Sequence, residues 1–541
     1  MGLQALNGGH SFIKNGDAAL KRGILHSTIV WPLVGVLFFC SAMYRYLLVE
    51  KTPISIDEFF SWAIIQEGPY HIFTATSLDV HPPLYYWILW CWAQPFGDSI
   101  IALRAMSVFF GLLSFIVLIF VFMTITRESD GGGNRLSDAV AWVVMFSLFR
   151  LSILGSTAAR MYSMGGFLCS LSILQFACLY RRKRSVGVSS FFLGCTMGLL
   201  CLTHNFGVFI FLGGGFCILC LGITFNLHSK ACFPKIKLPF LYVLGWIAIY
   251  VWWIPILLAQ TGKVATDYWI TSQNVQSIAR SIVLTALGHH QPPLSFALFV
   301  LICITIGSLL LEKRDLGFCL VMLILFLSSF LGGILFQIIF NRPILVDRYL
   351  TFASYYSIVF IFLQWKRFRS SFSLPSYLML AVLTFLNLSQ VSSLLPKGEI
   401  GESSTSDFAG AVVPIVDEND TAVFVGSPIG FFELQYYWKR ISGNLGDIRF
   451  YSRLVDVPGP GFSSAIPAKK IIFHNQFQIC LPDEEGEKKN DGDLFIVSAD
   501  PLPPQILFDL KLVEVYCEKQ GKSKLCLFLI SPRRFYALNS N

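Results

Sequence analysis

Charged residues are scarce in this chain. Asp, Glu, Lys and Arg make up only 14% of its 541 residues, while 54% are hydrophobic. A soluble chain needs about a quarter of its residues charged to face water, so the shortage excludes a conventional soluble enzyme. The apolar residues instead form long runs, most plainly 29–44, 105–125 and 238–258, and a bilayer-spanning helix needs roughly 20 such residues. Because hydrocarbon cannot satisfy backbone polar groups, the runs predict an α-helical membrane bundle.

The chain also lacks a basic water-soluble face and any cysteine arrangement typical of a metal or redox site. Its net charge is +8, but the basic residues lie in short loops between apolar runs, which indicates topology and no nucleic-acid partner. Most of the 14 cysteines lie within apolar runs, where they pack well. The pair Cys217 and Cys220 has no second pair to complete a site. Cys517 and Cys526 could form a disulfide, and the sequence alone does not decide whether they do.

Basic clusters between the apolar runs predict how the chain threads the membrane. The lysines of the N-terminus place it in the cytoplasm, and without an obvious small-residue cleavage site the first run is an uncleaved helix. Keeping nearly every basic cluster cytoplasmic requires about eleven spans. This predicts a transmembrane module at 1–395, including a first outer loop at 49–98 with interfacial helices. A bacterial inner membrane and an endoplasmic reticulum both fit this integral, multi-pass topology.

The C-terminal residues 396–541 differ in composition from the rest. They hold most of the acidic residues and short β-type runs such as 421–425 and 493–497, separated by Pro and Gly clusters such as 458–461. We expect a soluble α/β domain on the extracytoplasmic side. The predicted fold class is therefore an α-helical polytopic membrane protein with a C-terminal soluble α/β domain.

Asp57 and Glu58 open the first outer loop. They precede the apolar stretch 59–65, which suits a helix lying at the membrane interface. The simpler interpretation makes Asp57 the N-cap of that helix, with Glu58 interacting favourably with its dipole. The alternative is a catalytic role for both carboxylates.

Asp79 and His81 follow in the same loop, directly before Pro82 and Pro83. A proline pair predicts the start of a helix over the aromatic run 84–92. Acidic residues and a histidine at a membrane surface are costly unless paired, which favours a functional role.

Further unusual polar residues fall on the same predicted outer face. They form three short motifs at helix ends: Arg160-Met161-Tyr162, Thr203-His204-Asn205 and Asp347-Arg348-Tyr349. Each alone also fits a residue that snorkels to the interface. Arginine is suited to phosphate because its planar fork presents several donors. Together with the carboxylates, the motifs predict an outward-facing cleft for base catalysis on an anionic lipid head.

The order of these motifs resembles the GT-C glycosyltransferases that use polyprenyl-phosphate sugars, especially the family-39-type and aminoarabinose-transferase-like enzymes, which are related to protein O-mannosyltransferases. The resemblance covers roughly residues 30–365 and is carried by Asp57-Glu58, the run from Leu78 to Tyr86, Phe96-Gly97, Ala102-Leu103-Arg104, Ala159-Arg160-Met161-Tyr162, the run from Leu202 to Gly207, and the run from Asp347 to Leu350. Two departures are Ala158-Ala159, where members often have an acidic residue, and Asn205, where they often have an aromatic one.

The resemblance implies an inverting transfer of sugar from a lipid-linked donor to a glycan, lipid or protein acceptor on the extracytoplasmic side. By that likeness Asp57 is the base, and Glu58 and Asp79 orient the acceptor or tune Asp57. Arg160 and Arg348 hold the donor phosphate. The substrate contacts are His81, Tyr162, His204 and Tyr349. The family implies no cofactor, and a metal near Asp57 and Asp79 is the less favoured alternative.

Two other classes stay open on the sequence alone. A multi-pass transporter or lipid flippase would carry charges at mid-depth and Gly/Pro-broken helices in matching halves. Only Arg150 lies in the middle of an apolar run, and no internal repeat is visible. A non-catalytic relative acting as a scaffold would be indicated by loss of Asp57 or Arg348, and both are present.

Overall fold

The chain was analysed in a computed structural model. It describes residue 32 and residues 34–52, 54–126, 135–147, 149–181, 186–227, 234–266, 270, 274–288, 305–306, 313–392, 404–414, 421–425, 428–443, 447–452, 471–473, 494–498, 513–520 and 523–530. The chain folds into two compact units. The helical unit comprises Met1–Thr52, Ile101–Ala259 and Ile270–Pro396, and the mixed unit comprises Pro53–Ile100, Gln260–Trp269 and Lys397–Asn541.

The described residues are mostly helical. In chain order the helices are α1 (34–51), α2 (Ile56–Ile64), α3 (Pro69–Leu78), α4 (Leu84–Phe96), α5 (Ile100–Thr126), α6 (Arg135–Ser147), α7 (Arg150–Thr157), α8 (Tyr162–Arg181), α9 (Val186–Thr203), α10 (Gly207–Leu227), α11 (Pro234–Tyr250), α12 (Ile254–Thr266), α13 (Val275–Leu287), α14 (Lys313–Phe340), α15 (Thr351–Ser371), α16 (Ser373–Ser392), α17 (Ser404–Val412) and α18 (Pro428–Ser442). A 3-10 turn, Val251–Trp253, joins α11 to α12.

Several helices are long and apolar enough to cross a membrane. Within the described ranges there are five by length and composition: Ile100–Thr126, Tyr162–Arg181, Val186–Thr203, Lys237–Ala265 and Leu316–Phe340. The bent pair α6 and α7, with a 48° break, makes a sixth if it is one span. The expected first span begins among residues that are not described. The chain is thus a multi-pass membrane protein, while the expectation of about eleven spans remains a prediction.

Close backbone approach holds the helical unit together, most visibly between α9 and α11. A Cβ placed on Gly194 would lie 1.9 Å from the carbonyl oxygen of Tyr242, and one on Gly245 would lie 2.1 Å from that of Phe191. Helices pack this closely in membranes where small residues let dispersion contacts replace the missing hydrophobic drive. The spacing of Gly194 and Gly198 matches the small-xxx-small pattern of such contacts.

The mixed unit contains a six-stranded sheet formed by the C-terminal segment. Its strands are β1 (Thr421–Val425), β2 (Asp447–Ser452), β3 (Ile471–Phe473), β4 (Leu494–Ser498), β5 (Val513–Gln520) and β6 (Ser523–Ile530), in the order β3-β2-β1-β4-β6-β5. The first four strands pair in parallel, and β6 is antiparallel to both β4 and β5. Cys517 and Cys526 are direct register partners, while a disulfide between them remains a prediction.

Two sequence expectations for the outer loop meet different outcomes. The proline pair does start a helix, since α4 begins at Leu84 directly after Pro83. The stretch 59–65 is also mainly helical, but its side chains are buried in protein: Phe59, Trp62 and Ile64 are only 4%, 1% and 0% exposed. Protein contacts bury these side chains, and the expected position of the helix at the membrane interface remains a prediction.

Candidate active site

Glu58 has a clear local role in the mixed unit. Its Oε2 accepts hydrogen bonds from the Ser55 backbone N–H (2.9 Å) and the Ser55 hydroxyl (3.1 Å). This is a capping box, in which Ser and Glu three residues apart satisfy each other's polar groups at a helix start. The expectation that Asp57 is the N-cap was wrong, because Ser55 holds that position and has the extended backbone of a cap.

Asp57 instead lies in the first turn of α2. It is half-buried, and its backbone carbonyl accepts from the Ser61 hydroxyl at 2.9 Å. A carboxylate in the first turn is stabilised by the positive end of the helix dipole. The cap therefore fixes the backbone of Asp57 while its side chain takes no part in the capping box.

Asp79 and His81 form a buried pair. His81 Nδ1 lies 3.0 Å from Asp79 Oδ2, and the two residues are 9% and 1% exposed. Asp79 Oδ1 is also buried and accepts no hydrogen bond from any described residue. A buried carboxylate is costly unless it is paired and hydrogen-bonded, so this half-satisfied group is a candidate for contact with a substrate hydroxyl.

Two side chains from the second half of α12 contact the backbone just before Asp79. Gln260 Nε2 donates to the carbonyl of Thr76 at 2.8 Å, and Lys263 Nζ lies 3.4 Å from the carbonyl of Leu78. Both carbonyls belong to the last turn of α3, where backbone acceptors need external donors. Gln260 and Lys263 therefore support the turn that presents Asp79, and no sequence motif pointed to them.

Aromatic side chains connect the helices that carry the two carboxylates. Phe60 of α2 meets Tyr86 of α4 edge to face at 6.4 Å, and Tyr86 meets Tyr85 at 5.3 Å. Both tyrosines are at most 1% exposed. Such packed aromatic contacts hold α2 and α4, and with them Asp57 and the Asp79 turn, in one arrangement.

The helical unit brings three of the predicted motifs together around Phe352 of α15. The His204 ring lies 4.8 Å from that of Tyr349 and 5.2 Å from that of Phe352. The ring of Tyr162 lies 6.3 Å from that of Phe352. A Cβ on Gly165 would lie 2.0 Å from Phe352 Cε1, so glycine permits this approach of α8 and α15.

The arginines of these motifs differ in the contacts that they make. Arg160 is only 4% exposed, and its backbone carbonyl accepts from the Ser107 hydroxyl at 3.4 Å. Arg348 places its guanidinium carbon 5.6 Å from the centroid of the Tyr349 ring, a cation–π distance. The neighbouring Asp347 accepts a hydrogen bond from the Ser281 hydroxyl. The Arg348 guanidinium thus contacts a predicted substrate residue, and the buried Arg160 is held through its backbone two residues before Tyr162.

The predicted site residues divide between the two units. Asp57, Glu58, Asp79 and His81 belong to the mixed unit, and Arg160, Tyr162, His204, Arg348 and Tyr349 belong to the helical unit. Among the described residues, no three His, Cys, Asp or Glu side chains are grouped in a way that could hold a metal ion.

Two arginines of the helical unit have roles that motif reasoning did not assign. Arg104 donates through Nη1 to the carbonyls of Val49 (2.7 Å) and Thr52 (2.8 Å), which fixes the C-terminal end of α1 where the outer loop begins. Arg45 is 3% exposed and donates to the hydroxyls of Ser41, Ser152 and Ser156. A lone cation near the end of the first apolar run is the signal that could have found it.

No protein-family model and no curated protein matches the chain. Among solved structures, ArnT from Cupriavidus metallidurans in the apo state is similar at 11% identity, over 92% of this chain and 98% of that one, with a TM-score of 0.58. The same protein bound to undecaprenyl phosphate is similar at 12% identity over the same shares, with a TM-score of 0.59. The GT-C fold predicted from the order of the motifs is therefore confirmed.

Proposed function

We propose that the chain is an integral-membrane glycosyltransferase that moves a sugar from a polyprenyl-phosphate donor to a glycan, lipid or protein acceptor. One observation carries this proposal: a chain with the fold of ArnT keeps Asp57 and the buried Asp79–His81 pair together in one compact unit. ArnT has been solved with undecaprenyl phosphate bound, which supports a lipid-phosphate donor of the same chemical class.

In this proposal Asp57 takes the proton of the acceptor hydroxyl. The acceptor oxygen then bonds to the anomeric carbon from the side opposite the phosphate, and the bond from that carbon to the phosphate oxygen breaks. The electron pair leaves with the polyprenyl phosphate, so the anomeric configuration inverts. A base within reach of the attacking hydroxyl typically contributes 10²–10⁴-fold to the rate.

Asp79 and the two motif arginines have supporting roles. Asp79 Oδ1 would accept a hydrogen bond from an acceptor or sugar hydroxyl, while His81 holds Oδ2 and so sets the orientation of the carboxylate. Arg160 and Arg348 would stabilise the negative charge on the departing phosphate, because guanidinium groups bind phosphate in a forked, charge-assisted way. His204, Tyr162 and Tyr349 would contact the substrate beside them.

Glu58 is left with a structural role, which differs from the role implied by the family resemblance. Its carboxylate accepts the hydrogen bonds of the Ser55 capping box, and the residue is only 1% exposed. We therefore place it among the residues that position Asp57 and not among those that touch substrate.

The topology is part of the same proposal. The N-terminus would lie in the cytoplasm, about eleven spans would follow, and residues 396–541 would form a soluble α/β domain on the side where transfer occurs. Labelling of single cysteines introduced into residues 396–541 by a membrane-impermeant reagent, in intact cells or sealed vesicles, tests the predicted side.

The function is tested with purified protein in nanodiscs and a panel of synthetic polyprenyl-phosphate sugars. Wild type should release the polyprenyl phosphate and transfer its sugar, while Asp57→Asn should lower kcat by about 10²–10⁴-fold. Glu50→Gln makes the same chemical change at an exposed position of α1 and should retain turnover. Wild-type turnover in Asp57→Asn would show that Asp57 is not the base. Movement of the donor across the bilayer without transfer would instead favour a flippase.

A further inference from the structure

Helix α18 of the C-terminal segment contacts two parts of the outer loop within the mixed unit. Lys439 Nζ donates to Gln66 Oε1 at 2.6 Å and to Asp98 Oδ2 at 2.7 Å. Asp98 Oδ2 also accepts from Trp62 Nε1 at 3.2 Å. We call Lys439, Gln66, Asp98 and Trp62 the Lys439 cluster. One ammonium group thus joins residues that follow α2 and α4 in the sequence.

Tyr436, one turn earlier on α18, reinforces this attachment. Its ring meets Trp62 edge to face at 5.4 Å and 90°, and it lies 5.4 Å from the ring of Phe59. Its hydroxyl accepts from the backbone N–H of Ile100 at 3.3 Å. Tyr436 therefore contacts both the buried side of α2 and the first residue of α5, directly after the outer loop.

These contacts bear on Asp57 because α2 is short. It has nine residues, and helices shorter than about 12–15 residues are marginal on their own in water. Trp62 lies five residues after Asp57 on the same helix, a rise of roughly 7.5 Å. The contacts of Trp62 with Asp98 and Tyr436 therefore restrain the helix on which Asp57 lies.

We propose that Lys439 is a positioning residue for sugar transfer, through which the C-terminal segment holds α2 and keeps Asp57 in place. This inference rests on the proposed function in assigning Asp57 to the reaction. Both hydrogen bonds of Lys439 are charge-assisted, because its ammonium group is the donor to the Asp98 carboxylate and to the Gln66 amide oxygen. Its half-exposed setting makes it a weak source of global stability, so its main effect is local geometry.

The variant Lys439→Met tests the positioning role, because it removes the ammonium group and keeps most of the length of the side chain. We expect kcat to fall by about tenfold to a hundredfold, the scale on which a misplacement near 1 Å acts, with the KM for the donor changing less than threefold. Hydrogen exchange in residues 56–66 should accelerate selectively. Lys439→Arg should recover most of both readouts. Ile441→Ala changes an exposed position of the same helix and should behave as wild type.

Wild-type kcat and wild-type exchange in Lys439→Met would overturn the proposal. So would faster exchange spread equally over every helix, because that pattern indicates a general loss of stability. If Lys439→Met cannot be purified, Asp98→Asn and Gln66→Leu break the same contacts from the other side and must reproduce the local effect. If wild type transfers no sugar from any donor, the proposed function fails, whereas the exchange experiment still decides whether Lys439 holds α2.

Discussion

Replacing Glu58 by glutamine separates a role in the helix cap from a role in the chemistry. Glu58 Oε2 accepts two hydrogen bonds from Ser55, at 2.9 and 3.1 Å. A capping box accepts glutamine as well as glutamate at this position, because the amide oxygen can receive the same bonds. We therefore expect Glu58→Gln to retain α2 and to transfer sugar within a few-fold of wild type.

The magnitudes follow from the contacts that each substitution removes. Loss of a capping side chain costs about 0.5–2 kcal/mol, so Glu58→Ala should lower the free energy of unfolding by roughly 1 kcal/mol. Ser55→Ala removes the hydroxyl of the same box and should cost a similar amount. Glu58→Gln loses only the charge assistance of its bonds, which places it between wild type and Glu58→Ala.

The assay combines thermal unfolding with single-turnover sugar transfer for Glu58→Gln, Glu58→Ala and Asp57→Asn. If Glu58 only caps α2, the rate of sugar transfer in the two Glu58 variants should fall no further than their thermal stability does. Asp57→Asn should instead lose the rate of transfer without a matching loss of thermal stability. A fall in kcat for Glu58→Gln as large as that for Asp57→Asn would refute the reasoning, because that variant keeps the cap and changes only the charge.

Two further predictions concern packing and pH. Gly194→Ala places a methyl group 1.9 Å from the Tyr242 carbonyl and should destabilise by about 1–3 kcal/mol in thermal unfolding, whereas Gly35→Ala meets nothing within 4 Å and should not destabilise. Burial would raise the pKa of Asp98, but the hydrogen bond and charge of Lys439, with Trp62 Nε1, outweigh it and hold that pKa below its usual range. A carboxyl whose pKa is lowered in the folded state stabilises the protein at higher pH. The stability difference between wild type and Asp98→Asn should therefore be present at pH 6 and decline as the pH falls below about 4 and through the lowered pKa of Asp98.

Local patterns predicted the elements of the outer loop well and their partners poorly. The proline pair correctly marked the start of α4 at Leu84, because proline suits the first turn of a helix and blocks an earlier start. Of the two interpretations of Asp57, the N-cap was wrong, although Ser55 and Glu58 have the spacing of a capping box and could have been found. The role of Lys439 had no signal in the sequence, because its partner Asp98 lies 341 positions away.

Composition and hydropathy by themselves indicated that this chain lies in a membrane, since 14% charged residues are too few for a soluble surface and the apolar runs have spanning length. The resemblance of the motifs to a known family also implied the GT-C fold. Only the tertiary structure decided that α2 is buried beneath α18, that His204 and Tyr162 meet at Phe352, and that Glu58 serves a cap. Such contacts depend on which surfaces pack together after folding. The periodicity of a segment predicts its own secondary structure, but it does not identify a contact hundreds of residues away.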